Sequence, residues 1–481
     1  MTTAPTLPDG IVAVVKRDCP TCVLVEPVLA DLAGRTDLTV YVQDDPSFPA
    51  GVDAIHDGDL AVSWHHEIET VPTLLRVGDG AETERIVGWS REQWETFTGV
   101  ADLGVDLPDW RPGCGSLSVD PDRVDELRVR FTGSKLHARR VEFAVLEDEM
   151  EAMFDRGWSD GLPLVPPTEA RVLAMLEGTT RDPQEVVTLV PPDLVDVTVE
   201  KIAINAVMAG CKPEYLPVVI AGVEAVCTDE FNMHGVLATT MPAGPVLIVN
   251  GPIRDRIGMN HGGNALGQGN RANATIGRAV QLVVRNVGGG RPGEVDRATH
   301  GQPGKLTFCF AEDEAGSPWT PLSADLGVDD GADAVSVFCG TGVQNITDQL
   351  SRDPESLCRS FAETINAMQH PKLILGFDAL LVLGPEHVRI FAEAGWDKAT
   401  TRDRIIELTK RDGAELVRGA GGMAEGLPEA FAEAEGLPKV RPGVGLLLAH
   451  AGGGAGLFTQ LIAGWVSGEK GSQPVARRIT A

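Results

Sequence analysis

Two cysteines separated by two residues, Cys19 and Cys22, constrain the N-terminal part of the chain more than any other feature. They follow the apolar run 11–15, which has the length of a buried strand. Residues 23–35 have helical spacing of apolar side chains, so Cys19 is expected at the N-terminus of a helix, facing solvent. The helix dipole and free amide groups stabilise a thiolate there. The pattern therefore predicts Cys19 as the attacking sulfur and Cys22 as the resolving one.

Further strand patterns follow along the first hundred residues, at 38–42 and at 85–87. Between them, Val71-Pro72-Thr73 begins another strand. A C-x-x-C that opens a helix, with Val-Pro-Thr about fifty residues later, resembles the thioredoxin superfamily over roughly residues 8–100. In that family the Val-Pro bond is cis and the proline packs beside the dithiol. This chain lacks the tryptophan often found before the first cysteine, and residues 44–59 form an insertion.

Two other roles stay open for Cys19 and Cys22. They could be zinc ligands, or cysteines with a structural role. A zinc site requires further ligands at matching spacing, and the nearest candidates are His65 and His66. These histidines lie on a different segment, so the pattern favours a redox dithiol.

The chain is expected to form two domains with a connector between them. We assign residues 1–100 to a thioredoxin-like domain, 101–154 to the connector and 155–481 to a large α/β domain. Residues 106–116 are rich in turn-forming residues, and a helix is predicted at 141–154.

Cys114 lies in the connector between two glycines, in the sequence Pro112-Gly113-Cys114-Gly115-Ser116. Flanking glycines expose a thiol and leave amide groups free to point at a thiolate or an oxyanion. Cys114 is therefore either a thiol that exchanges with Cys19, or a nucleophile at the domain junction, or an incidental residue of a flexible linker.

Strand-length apolar runs alternate with helical patterns beyond residue 155. This alternation predicts an α/β domain with a mostly parallel or mixed sheet that is covered on both faces. The predicted strands are 218–220, 246–249, 307–310, 334–338, 373–375, 380–383 and 445–449. The predicted helices are 199–208, 278–287, 355–368, 401–410 and 457–465.

Two stretches characterise the large domain: WSDGLPLVPPT at 158–168 and NALGQGNRANATIGR at 264–278. They resemble an uncharacterised bacterial family over about residues 150–465. Similar chains accompany proteins that carry a Sec/Cys-Gly-Ser-Cys motif. The resemblance implies no particular reaction, so the chemistry has to be inferred from the residues.

The densest polar cluster of the large domain is the segment 260–278. Its glycines let the backbone approach a ligand closely, and an arginine in such a loop suits bidentate binding of a carboxylate or phosphate. The predicted substrate-binding residues are Asn260, His261, Asn264, Asn270, Arg271, Asn273 and Arg278. The alternative is a structural loop in which asparagine side chains satisfy buried amide groups.

Two further residues are candidates for catalysis. Cys339 stands between a predicted strand and a glycine turn, which is a common place for a nucleophile, although most cysteines are buried packing residues. His234 is a candidate general acid or base, against the alternative of a hydrogen-bonded structural histidine. Together with Cys227 and His261, both could also ligate a metal. No motif selects NAD, a flavin or ATP, so the cofactor stays unknown.

Two strand-to-helix turns, at 383–387 and 449–456, contain His387 and His450. In α/β folds ligands bind at the C-terminal edge of the sheet. Both turns are expected at that edge, and the second could bind an anion or a dinucleotide. The alternative is that they are ordinary glycine-rich turns.

Charge and composition exclude several classes of partner. The net charge of −28 disfavours nucleic acids and anionic membrane surfaces, and no apolar run is long enough to span a membrane. The N-terminus lacks the pattern of a secretory signal, and the eight dispersed cysteines are not a disulfide framework. The expected location is the cytoplasm.

The sequence therefore predicts a thiol-dependent enzyme, an oxidoreductase or lyase, in which the dithiol serves a large domain acting on a small, anionic molecule. The expected partners are that substrate and a thiol reductant or reductase, and self-association stays open. Two alternatives remain: a protein disulfide reductase or scaffold, and a cysteine- or metal-dependent hydrolase or lyase with a docking module.

Overall fold

Helices and strands alternate along the chain, and both parallel and antiparallel strand pairs occur, so the protein has the α/β fold that the sequence predicts. A computed structural model describes residues 4–133, 136–144, 147–454 and 456–480. The chain divides into two compact units, Met1–Lys135 and Leu136–Ala481. None of the helices in this described part combines the length and apolarity needed to cross a bilayer.

The first unit is built on a sheet of five strands. Its strands are β1 (Gly10–Val15), β2 (Leu38–Val42), β3 (Ala54–His56), β4 (Thr70–Val71), β5 (Thr73–Gly78), β6 (Ala81–Val87), β7 (Trp89–Ser90), β8 (Trp110–Arg111) and β9 (Cys114–Gly115). Its helices are α1 (Pro20–Arg35), α2 (Ala61–His65), α3 (Arg91–Thr98) and α4 (Val124–Thr132).

The five-stranded sheet has the order β3-β2-β1-β5-β6. β1 pairs in parallel with β2 and antiparallel with β5. The remaining four strands form two short antiparallel pairs, β4 with β9 and β7 with β8. Residues 110–115, which the sequence assigns to the connector, thus pair with strands of the first unit.

The second unit contains strands β10 (Val186–Val190), β11 (Val195–Thr198), β12 (Gly244–Asn250), β13 (Cys309–Ala311), β14 (Ala334–Thr347), β15 (Phe377–Leu383), β16 (Leu446–His450), β17 (Phe458–Val466) and β18 (Val475–Arg478). Its helices are α5 (Glu149–Asp155), α6 (Glu169–Leu176), α7 (Val199–Ala209), α8 (Leu216–Val226), α9 (Met233–Ala238), α10 (Ile253–Arg256), α11 (Arg271–Asn286), α12 (Leu322–Asp325), α13 (Pro354–Ala367), α14 (Pro385–Glu393), α15 (Lys398–Leu408) and α16 (Gly413–Leu416).

A seven-stranded mixed sheet forms the centre of the second unit. Its order is β13-β12-β14-β17-β15-β16, with β18 pairing with β14. Side chains of alternate residues form one apolar cluster on the inner face, including Ile248, Phe310 and Leu380. Side chains of the opposite face join α7, α8 and α11 in one outer core and α13 and α15 in another.

The two edge strands of this sheet meet at their ends. The amide of Asp313, just after β13, donates to the carbonyl oxygen of His450 in β16 at 2.7 Å. The sheet is therefore strongly curved, and it encloses its inner apolar cluster.

Four sequence predictions of secondary structure differ from the structure in the second unit. Residues 218–220 lie within the buried helix α8, and 457–465 lie mostly in the strand β17. A short apolar run does not distinguish a buried helix from a buried strand, and β17 becomes a strand because β14 and β15 pair with both of its edges. Residues 373–375 form neither a strand nor a helix, and the helix predicted at 141–154 begins only at Glu149.

Candidate active site

The sulfur of Cys19 lies at the N-terminus of α1. Cys19 has an extended backbone and caps the helix, and its Sγ accepts a hydrogen bond from the amide of Cys22 at 3.3 Å. Pro20 occupies the first helical position, where no amide partner is needed. The carbonyl oxygen of Val71 lies 3.6 Å from the same sulfur, and the peptide bond between Val71 and Pro72 is cis.

Hydrogen bonds lower the pKa of Cys19 to about 5. The largest contribution is a hydrogen bond from the Cys22 thiol, which outweighs the opposing effect of burial. The Cys114 thiol and the amides of Cys22 and Thr21 lower the pKa further. Burial raises the pKa of Cys22, and the neighbouring Cys19 raises it further. Cys19 is therefore a thiolate near neutral pH, while Cys22 keeps its proton.

Cys114 joins this pair as a third sulfur of the first unit. It lies in β9 opposite Val71 of β4, the residue whose carbonyl oxygen approaches Cys19. Burial raises the pKa of Cys114, and its hydrogen bond to Cys19 adds to the shift. A thiolate at position 19 and two protonated thiols thus form one cluster.

Residues 108–118, here called the covering segment, hold Cys114 in place. The hydroxyl of Thr21 donates to the carbonyl oxygen of Pro112 at 2.7 Å. The side-chain amide of Gln43 donates to the Ser116 hydroxyl at 2.6 Å, and the Ser118 hydroxyl donates to a main-chain carbonyl oxygen at 2.6 Å. The covering segment is therefore anchored on both sides of Cys114.

Gly113 allows the covering segment to approach β4. A Cβ atom at Gly113 would lie 2.3 Å from Cγ2 of Thr70 and 2.9 Å from the carbonyl oxygen of Val71. A Cβ at Gly115 would meet no atom within 4 Å. Only the first of these two glycines is thus required by close packing.

The sequence predicts a solvent-facing Cys19, whereas the structure buries it. Cys19 is 1% exposed and Cys22 is 0% exposed. Cys114 is the one of the three cysteines that is partly exposed. The physical reason is the β4–β9 pairing, which places the covering segment beside the N-terminus of α1, and which no local sequence pattern predicts.

The asparagines of segment 260–278 in the second unit bind mostly its own backbone. Asn273 is buried and exchanges hydrogen bonds with the main chain of Asn260. Asn270 caps α11, and the side-chain amide of Asn264 donates to the Gln268 carbonyl oxygen at 2.7 Å. These contacts correspond to the structural loop that the sequence left open as an alternative.

The two predicted binding arginines of this segment have different surroundings. Arg271 is exposed, and its Nε donates to the carbonyl oxygen of Gly210 at 2.9 Å. Arg278 forms a bidentate ion pair with Asp160, with both N–O distances 2.8 Å. Burial opposes ionisation of Asp160, but Arg278 outweighs it and lowers the pKa of that carboxyl group. Only Arg271 thus presents its guanidinium to solvent.

The remaining catalytic candidates lie apart from that loop. Cys339 is buried in β14, where burial raises its pKa to about 12. It stays protonated near neutral pH, which favours the alternative of a packing residue. His234 lies near the start of α9 with an exposed side chain, and burial raises the pKa of Cys227 to about 12.

A carboxylate between two histidines occupies the point where the edges of the sheet meet. One oxygen of Asp313 lies 3.4 Å from Nδ1 of His261, and the other lies 3.6 Å from Nε2 of His450. Nδ1 of His450 lies 2.8 Å from the Leu383 carbonyl oxygen, which can only accept, so Nδ1 carries a proton. Asp313 was not predicted, because only tertiary structure brings 261, 313 and 450 together.

Glu312 stabilises the region where the ends of β13 and β16 meet. It is buried, and its carboxylate accepts hydrogen bonds from the Asn250 side chain, the Leu322 amide and the His450 amide. Burial raises the pKa of Glu312. The backbone of His450 is therefore held by a carboxylate that was also not predicted from the sequence. A signal was present in the run Glu312-Asp313-Glu314 at the end of a predicted strand.

The second unit also contains a cavity of about 700 Å³. Segment 136–143 and helices α6 and α7 line it, with Arg139, Arg140 and Lys201 among the lining residues. The Glu200 carboxylate accepts hydrogen bonds from two amides of this segment, those of His137 and Ala138. The sequence assigns residues 136–143 to the connector and predicts no binding site at this cavity.

Neither a cluster of metal ligands nor a match to a known protein assigns a function to the described residues. Over residues 4–133, 136–144, 147–454 and 456–480, no three histidine, cysteine or acidic side chains are arranged to hold one metal ion. No protein-family profile matches the chain, and neither the curated proteins nor the solved structures contain a match.

Proposed function

We propose that this chain is a thiol-dependent oxidoreductase whose first unit carries out thiol–disulfide exchange. The observation that carries the proposal is the Cys19 sulfur at the N-terminus of α1, which accepts the Cys22 amide and has its pKa lowered to about 5. A thiolate is the form of cysteine that attacks a disulfide. The resemblance to the thioredoxin superfamily supports the same chemistry.

The exchange has two balanced steps. The Cys19 thiolate attacks one sulfur of a substrate disulfide, which forms a mixed disulfide and releases the other substrate sulfur as a thiolate. Cys22 then loses its proton and attacks Sγ of Cys19, which forms the Cys19–Cys22 disulfide and releases the second substrate thiolate. Two electrons pass to the substrate, and two protons convert its thiolates to thiols.

For the second unit, we propose binding of a small, anionic substrate that this dithiol serves. The cavity of about 700 Å³ supports this role, because its volume falls in the range of small-molecule sites and Arg139, Arg140 and Lys201 line it. Arg140 is paired with Glu169, so the cavity is not uniformly cationic. We propose the reducing cytoplasm as the location and a thiol reductant as the partner, because all eight cysteines are free.

The test is reduction of a model aromatic disulfide by the full chain. Cys19→Ser should lower the rate by at least about a hundredfold, because a hydroxyl at this position is a poor nucleophile. The matched control is Cys339→Ser, which removes a buried thiol of the second unit and should leave the rate unchanged. Full activity in Cys19→Ser would contradict the proposal.

A second candidate function is acid–base catalysis in the second unit, as in a hydrolase or lyase. It is favoured by Asp313, which lies between His261 and His450, because such a group can pass a proton to or from a substrate. A turnover that survives Cys19→Ser but is lost in Asp313→Asn would support it. Asp330→Asn, at an exposed position of the same unit, is the control.

A further inference from the structure

We propose that Cys114 is a third redox-active thiol, and that the Cys19–Cys114 disulfide is the form through which the buried dithiol exchanges with an external thiol. This inference rests on the proposed thiol–disulfide exchange at Cys19 and Cys22. It adds a route by which that exchange reaches solvent.

The first reason is access to the sulfur atoms. Cys19 and Cys22 are buried, whereas Cys114 is partly exposed. Thiol–disulfide exchange requires one sulfur to reach another directly. An external thiol therefore meets Cys114 before it meets either sulfur of the Cys19–Cys22 pair.

The second reason is proximity between Cys114 and Cys19. The carbonyl oxygen of Val71 lies 3.6 Å from Sγ of Cys19, and Cys114 lies opposite Val71 and packs against the apolar cluster that contains Cys19. The pairing with Val71 therefore holds Cys114 beside Cys19, and the anchors at Thr21 and Ser116 keep the covering segment in place. An exchange between the two sulfurs therefore needs no unfolding of the covering segment.

The third reason is that the pKa of Cys114 depends on whether Cys19 is reduced or in a disulfide. In the reduced site, the hydrogen bond to Cys19 and the charge of Cys19 both raise the pKa of Cys114. When Cys19 is in a disulfide, that charge is gone and those two effects disappear. Cys114 therefore gives up its proton more readily when the site is oxidised, which is when its thiolate has a disulfide to attack.

The exchange balances without any oxidant beyond the disulfide itself. The Cys114 thiolate attacks Sγ of Cys19 in the Cys19–Cys22 disulfide, the bond to Cys22 breaks, and Cys22 takes up a proton. An external thiolate then attacks Cys114, which forms a mixed disulfide and releases the Cys19 thiolate. A second external thiolate resolves the mixed disulfide, so two external thiols are oxidised to one disulfide and the site is reduced.

The direct test is disulfide mapping of the full chain after equilibration with a glutathione redox buffer. In Cys22→Ser, we expect peptides joined through Cys19 and Cys114. The matched control Cys22→Ser/Cys114→Ser can carry only glutathione on Cys19. A Cys22→Ser protein in which Cys19 carries only glutathione would overturn the inference.

A kinetic measurement gives an independent readout. Reduced glutathione should reduce the oxidised Cys114→Ser protein at least about tenfold more slowly than the oxidised wild type, because the remaining disulfide is buried. Cys358→Ser, which removes a buried thiol of the second unit, should behave as wild type. Equal rates for wild type and Cys114→Ser would also overturn the inference.

Failure of the proposed function is distinguishable from failure of this inference. If wild type forms the Cys19–Cys22 disulfide but Cys114 never joins Cys19, only the third thiol is refuted. If wild type forms no Cys19–Cys22 disulfide, the proposed exchange and the inference that rests on it are both refuted.

Discussion

Cys19 of the first unit and the buried cysteines of the second unit have opposite surroundings. In the first unit, hydrogen bonds lower the pKa of the buried Cys19 to about 5. In the second unit, burial raises the pKa values of Cys211, Cys227, Cys339 and Cys358 to about 12. Burial alone disfavours a thiolate. The difference shows that a buried cysteine becomes reactive only where amide and thiol donors converge on its sulfur.

The polar segments of the two units differ in a similar way. The covering segment uses its hydroxyl and backbone contacts to hold a third sulfur beside Cys19. Segment 260–278 uses its asparagines to stabilise its own loop, and Arg278 is paired with Asp160. Two segments rich in glycine and polar residues therefore have different roles: one holds a thiol beside Cys19, and the other stabilises its own loop.

The largest expected effect concerns the ionisation of Cys19. A pH titration of thiolate ultraviolet absorbance should show one group with a midpoint near pH 5, and Cys19→Ser should lack it. Thiols with pKa values near 12 are about 10⁵-fold less ionised than Cys19 at neutral pH. A titration in which no thiol ionises below pH 7 would remove the contrast between the units.

The same shift makes the stability of the reduced first unit depend on pH. The pKa of Cys19 in the folded state, about 5, lies below its ordinary value of 9.0. The thiolate of Cys19 therefore stabilises the folded first unit fully above about pH 9, and this stabilisation is lost as the pH falls through about 5. The slope between these limits is at most about 1.4 kcal/mol per pH unit. Between these limits, the free energy of unfolding measured with denaturant should rise with pH more steeply in wild type than in Cys19→Ser, by this slope.

The next largest effect is expected from breaking the ion pair between Arg278 and Asp160. Both side chains are nearly buried, at 12% and 11% exposed. Arg278→Ala should lower the free energy of unfolding of the second unit by about 3–5 kcal/mol, because it leaves a buried charge unpaired. The control Arg359→Ala breaks an exposed pair and should cost at most about 1 kcal/mol. A stable but inactive Arg278→Ala protein would instead assign this arginine to ligand binding.

A smaller effect is expected from adding a methyl group under the covering segment. Gly113→Ala should destabilise the first unit by about 1–3 kcal/mol through overpacking against β4, and it should speed alkylation of Cys19 by displacing the segment. Gly115→Ala is the matched control, since its Cβ meets open space. Equal alkylation rates in the two variants would show that the covering segment does not limit access to Cys19.

The smallest effect on stability is expected for Arg271→Ala. Arg271 is exposed and donates a single hydrogen bond to a carbonyl oxygen, so its loss should cost at most about 1.5 kcal/mol. The sequence predicts that this variant loses activity or ligand binding while the fold stays intact. Unchanged ligand affinity measured by calorimetry would leave segment 260–278 with a structural role only.

Local patterns predicted the first unit more accurately than the second. β1, α1 and β2 lie within a few residues of the predicted positions, because apolar periodicity and the helix-opening C-x-x-C are properties of neighbouring residues. The helix predicted at 457–465 is the strand β17, because its partners β14 and β15 begin more than seventy residues away. Strand pairing over such a distance leaves little mark on the local pattern.

The candidate sites also combine features that local sequence predicts with features that depend on long-range contacts. Local sequence is enough to place Cys19 and Cys22 at the start of a helix, because a strand-length apolar run precedes them and helical spacing of apolar side chains follows them. Long-range contacts place Cys114 beside them, cover Cys19, and bring Asp313 between His261 and His450. The physical reason is that these contacts depend on the pairing of β9 with β4 and on the meeting of β13 with β16, and both bring together segments that are distant in the chain.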